Sequence, residues 1–74
     1  MGKVMTSNGF TIRELKGGRF SMTLTEWAGE KCHEHYVFNS FNEAGSEVYE
    51  MAPNNEIGRE VNHKMCRVFG RLFY

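Results

Sequence analysis

The sequence predicts an α+β fold: a three-stranded antiparallel β-meander with one or two C-terminal helices packed on one face. Three observations carry this. Apolar residues alternate along Phe10–Leu15, Arg19–Trp27 and Cys32–Asn39, the period of half-buried strands. Glycine-bearing turns separate the first two runs and the last two. From residue 40 the pattern changes to a helical period, announced by Ser40-Phe-Asn-Glu43, the spacing of a capping box.

Met1 to Gly9 reads as a flexible arm that ends at the turn signal Asn8-Gly9. The first strand spans about residues 10–15, and Lys16-Gly17-Gly18 then offers glycines for positive φ. Pairing Leu15 with Arg19 sets Ile12 opposite Met22 and Phe10 opposite Leu24, so all four apolar side chains share a face. The second strand spans residues 19–27 and the third 32–39. A two-residue turn at Gly29-Glu30 would set Met22 against Val37 and mix the faces. A three-residue turn brings Tyr36 or Phe38 opposite Met22, so the longer turn is expected, with His33 and His35 facing outward.

The first helix runs from about Phe41 to Ala52 and stops at Pro53. Phe41, Ala44, Val48 and Met51 form its buried side, while Glu43, Glu47 and Glu50 make an acidic ridge. Gly45 weakens it by roughly 1 kcal/mol relative to alanine, or permits close packing. Asn54-Asn55 caps a second helix with Ile57, Val61, Met65, Val68 and Leu72 on one stripe and Glu60, Lys64, Arg67 and Arg71 beside it. The competing assignment makes residues 64–73 a strand, giving β-β-β-α-β, because Cys, Val, Phe and Tyr favour sheets and Gly70 interrupts a helix. Alternation there is poor, and a helix that turns extended after Phe69 fits better.

Seventy-four residues make one small domain, spanning 1–74. Such a core supplies only about 3–5 kcal/mol, so a partner or a second copy is of stabilising use. Net charge is zero but unevenly distributed: six glutamates against Lys31 lie in residues 26–52, and basic residues dominate both ends. That balance disfavours a general nucleic-acid binder, which needs surplus positive charge. Two cysteines do not make a disulfide framework, and there is no apolar run of membrane-spanning length. The expectation is a cytoplasmic protein with reduced thiols, in the host cytoplasm if phage-encoded, with no membrane partner. Met1-Gly2-Lys-Val-Met-Thr6 loosely matches a myristoylation pattern, which no second signal supports.

Four constellations bear on function. Cys32-x-x-His35 and His63-x-x-Cys66 mirror one another as soft ligands for zinc. On a strand, however, residues three apart point to opposite faces, so only the second half converges, and no metal or other cofactor is expected. No enzyme is expected either. There is no Asp to orient a histidine, Glu34 stands beside the Cys32/His33/His35 group, and the chain is too small for a deep cleft. A nucleic-acid reading would use the open sheet face, with Thr11, Arg13, Arg19, Ser21, Thr23, Thr25, Trp27, His33 and His35, together with Lys64 and Arg67 of the second helix.

The remaining signal is surplus aromatic surface. Trp27, Val37, Tyr49, Phe69, Phe73 and Tyr74 fall off the expected inner faces, and Arg71 sits among the last of them. Trp, Tyr and Arg are the types enriched at binding hot spots. The preferred function is therefore stoichiometric protein binding, as an inhibitor or adaptor, through Trp27, Tyr49, Phe69, Arg71, Phe73 and Tyr74. Small accessory proteins of phages and mobile elements, in host takeover or anti-defence, often work this way; that comparison rests on size and style and names no family. Homodimerisation through the tail or an edge strand is the nearest alternative.

Overall fold

The computed structural model describes residues 2–27 and 30–73, and for residues 25–27 and 30–34 the backbone alone. It is an α+β fold in the order β1 (Val4–Ser7), β2 (Phe10–Glu14), β3 (Phe20–Trp27), β4 (Glu30–Phe38), α1 (Phe41–Met51) and α2 (Asn55–Phe69). The strands form one antiparallel meander, and neighbours in sequence are neighbours in the sheet. There are four strands where the sequence predicts three.

The additional strand is the expected flexible arm. Asn8 and Gly9 both take positive φ, 51° and 87°, as a two-residue type I′ hairpin requires. Val4–Ser7 therefore folds back on β2 with Met5 opposite Ile12, and Met5 is buried. One inward side chain in a four-residue strand is too little alternation to identify from sequence.

β2 and β3 pair in the expected register, Ile12 with Met22 and Phe10 with Leu24. Leu15 N–H donates to Arg19 O at 2.8 Å across the Lys16–Gly18 turn, where Gly17 and Gly18 hold φ of 74° and 76°. Between β3 and β4, Met22 lies opposite Tyr36 and Phe20 opposite Phe38, which keeps the apolar set together. The means differs from the expected three-residue turn. Trp27 already pairs with Glu30, and a β-bulge sets Thr25 against both Cys32 and His33, shifting the register by one. The turn residues themselves, Ala28 and Gly29, lie outside the described residues.

Both helices are capped as their sequences imply. Glu43 N–H donates to Ser40 Oγ at 3.0 Å, while the Glu43 carboxylate accepts from Asn39 N–H at 2.6 Å. Ile57 N–H donates to Asn54 Oδ1 at 2.9 Å. α2 stays helical to Phe69 and ends where Gly70, at φ 66°, donates its N–H to Cys66 O at 2.9 Å. The competing strand over residues 64–73 is therefore not formed. Because the helix stops there, Leu72 leaves the expected stripe and stands 79% exposed, and Phe69 takes the inward position instead.

The core lies between one face of the sheet and the two helices. α1 covers β3 and β4, and α2 covers β1. Phe20, Phe41 and Phe69 form its aromatic centre: Phe20 and Phe69 meet edge to face with centroids 5.2 Å apart, and Phe20 and Phe41 pack at a tilt of 57° with centroids 5.4 Å apart. Among the described residues no helix lies over the other sheet face. Its rows, read from the register, are Val4–Arg13–Ser21–Val37 and Thr6–Thr11–Thr23–His35. Among the described residues no helix is long and apolar enough to cross a membrane.

Candidate functional site

Where α1 and α2 meet, glycine sets the geometry. A Cβ on Gly45 would overlap the Cε1 edge of the Phe73 ring and lie 2.7 Å from Asn62 Oδ1; one on Gly58 would come to 2.8 Å from Tyr49 Cδ1. Each helix thus leaves a bare patch of backbone, and an aromatic ring lies on each patch. Between the two patches Asn62 is only 7% exposed. Its Nδ2 donates to Gly58 O at 2.9 Å and to Gly45 O at 3.3 Å, linking the helices. Two carbonyl acceptors fix the amide's orientation, since only the nitrogen can serve them. Oδ1 is left beside Gly45 with no hydrogen-bond donor among the described residues, and it is not sealed from solvent.

Outside this seam runs an open groove of about 550 Å³, lined by Tyr49, Glu56, Arg59, Glu60, Asn62, His63, Cys66 and Phe73. A recess of about 300 Å³ shares Tyr49, Asn62 and Phe73 with it and adds Asn42, Gly45 and Ser46. The floor and walls are apolar and aromatic. The charged groups Glu56, Arg59, Glu60 and His63 are exposed and form the rim, and Glu60 Oε1 accepts from Asn8 Nδ2 at 3.0 Å.

The structure brings two of the predicted protein-binding residues, Tyr49 and Phe73, to this groove. Tyr49 is 43% exposed. Phe73 is half-buried, stacked on Phe41 with centroids 4.3 Å and planes 11° apart. Phe69 is not at the surface as expected: α2's buried side includes it, and it closes the core against Phe20. Arg71 anchors the tail, donating to Glu14 Oε2 at 3.2 Å with its guanidinium carbon 5.6 Å from the Phe20 centroid. The backbone of Trp27 ends β3 far from the chain's tail in sequence; its side chain and all of Tyr74 lie outside the described residues.

The basic residues of the nucleic-acid reading are not brought together. Arg13 stands on the open sheet face between Val4 and Ser21, and Arg19 is exposed just before β3. Lys64 and Arg67 are on α2, across the sheet, where Lys64 Nζ donates to Thr6 O at 2.7 Å. The same separation divides the cysteine–histidine pairs. His35 lies on the open face with Nδ1 3.3 Å from Thr23 Oγ1, whereas His63 and Cys66 share the groove side of α2. The side chain of Cys32 is outside the description. Among the described residues the one ion pair is Arg71–Glu14, so the acidic ridge of α1 is not neutralised by the basic residues of α2.

Asn62 is the residue sequence reasoning missed. Its signal was a polar side chain inside the apolar side of a helix, four residues after a glycine, with Gly45 marking the complementary gap in α1. Comparison with protein-family models, curated proteins and solved structures gives no match to this chain.

Proposed function

We propose that this chain is a small non-enzymatic protein-binding module that acts as a stoichiometric inhibitor or adaptor, and that its contact surface is the groove between the helices. The observation that carries the reading is Tyr49, a large aromatic held 43% exposed on the bare backbone of Gly58 in a groove that Phe73 also lines. Aromatic anchors in an apolar depression with a polar rim are the anatomy of a binding hot spot. The charged groups Glu56, Arg59 and Glu60 stand on its rim in water with His63, an arrangement suited to docking more than to acid–base catalysis.

Four basic residues divided between two sides of the sheet do not make a phosphate track, which favours a protein partner over a nucleic acid. The size of the chain and its zero net charge fit an accessory protein of the phage or mobile-element kind, acting in the cytoplasm on a host protein. Affinity capture from the native host, run in parallel with the Tyr49→Ala chain, tests this. The expected result is a partner retained in equimolar amount by the wild type and lost by the variant; equal retention by both would remove the groove from the account.

A further inference from the structure

We infer that the groove receives a tryptophan side chain of the partner protein, its ring against Tyr49 and Phe73 and its indole N–H donating to Asn62 Oδ1. This rests on the protein-binding reading and goes on to name what the partner inserts.

The chemistry follows from what the groove offers. Both Nδ2 hydrogens of Asn62 are already given to Gly45 O and Gly58 O, so this side chain presents an acceptor and no donor. A carboxylate or a carbonyl finds no donor at Asn62 to bond to. A lysine ammonium brings three donors to one acceptor and loses its hydration, with Arg59 on the same rim. An indole brings one N–H and no acceptor, so nothing is left unmatched on either side. Its flat apolar body suits two aromatic walls, and the recess past Phe73 gives a bicyclic ring depth.

A free small molecule is the poorer occupant. Sites for such ligands enclose most of the ligand's surface. This groove is open along its length, so a free ligand keeps one side in water, whereas a partner's own surface closes over it. The mixed-charge rim then meets the polar margin of that surface.

The test is a titration of the intact, ¹⁵N-labelled chain with N-acetyl-L-tryptophanamide and with its 1-methylindole analogue, which lacks the donor. The expected result is perturbation of the Asn62 side-chain amide and of the Tyr49, Cys66 and Phe73 amides, with the methylated analogue binding about 5- to 10-fold more weakly, the effect of one hydrogen bond. Equal binding of the two analogues, perturbation confined to the open sheet face, or no perturbation up to the solubility limit would each overturn the inference. So would free indole binding as tightly as the amide, since the site would then be one for small molecules. Groove resonances that shift on dilution, and cease to do so in Trp27→Ala, would place a second copy there instead.

Asn62→Ala removes a link between helices, so Tyr49→Ala serves as the folded control and is expected to abolish tryptophanamide binding with unchanged circular dichroism; retained binding there counts against the site. Failure of the inference is distinct from failure of the reading beneath it. If Tyr49→Ala loses the captured partner while tryptophanamide does not bind, the groove holds a protein by other chemistry. If partner capture survives Tyr49→Ala, the groove is not the interface at all.

Discussion

The ring of Phe73 lies parallel to that of Phe41, centroids 4.3 Å apart, over the stretch of α1 that Gly45 leaves without a side chain. The pair joins the last described residue of the chain to the first residue of α1. It makes the tail a structural wall rather than a free end, and it gives the groove one of its two aromatic sides.

That relationship predicts the effect of a single methyl group. Gly45→Ala places a carbon that overlaps the Cε1–Cζ edge of the Phe73 ring, so the ring must shift. The gain in helix propensity, about 1 kcal/mol, is set against the lost stacking and packing, about 1–3 kcal/mol for an overpacked site. The expected outcome is a small net loss of stability in urea, with the Phe41–Phe73 nuclear Overhauser contacts gone. Contacts that persist would show that the tail is held elsewhere.

Phe69 and Tyr49 separate core from surface. Phe69→Ala empties the edge-to-face contacts with Phe20 and Phe41 and is expected to cost about 3–5 kcal/mol, enough to unfold most of a domain this small. Tyr49→Ala should stay within about 1 kcal/mol of the wild type, because nearly half of its surface is already in water. Chemical denaturation of the two variants side by side measures the difference.

Asn62→Ala removes two hydrogen bonds that tie α1 to α2. The expected loss is about 1–3 kcal/mol, with faster amide exchange concentrated at Gly45 and in the groove. Uniform acceleration across the sheet as well would mean that Asn62 supports the whole fold and not the seam alone.

The helix starts give a local check. Ser40→Ala should cost about 1 kcal/mol, as should Asn54→Ala, because each side chain satisfies an otherwise unpaired N–H of the first turn. The two sites share no partner, so the double variant should show the sum within about 0.5 kcal/mol, measured by urea denaturation.

Much of the fold is legible in the sequence because its signals are local and repeated. The β2–β3 register follows from Phe10, Ile12, Met22 and Leu24 sharing a face, and both helix starts follow from Ser40 and Asn54. What escapes prediction depends on single residues or on distant contacts. β1 needs Asn8 and Gly9 to be read as a hairpin turn, although Met5 alone points inward. The bulge opposite Thr25 achieves by an inserted residue what a longer turn would also achieve, and the apolar pattern cannot distinguish the two. Phe69 and Leu72 exchange roles because Gly70 ends the helix before the stripe does. The site is harder still: Tyr49 and Phe73 are visible as surplus aromatics, but only the folded chain sets them on either side of Asn62.

The groove between α1 and α2 is proposed as the surface by which the chain holds another protein. Calorimetric titration of the captured partner with the wild type and with Tyr49→Ala tests it most directly. A hot-spot residue is worth 2 kcal/mol or more, so the account predicts affinity lower by about 30-fold or more at unchanged stoichiometry and thermal stability. Equal affinity for the two chains, both folded, would contradict it.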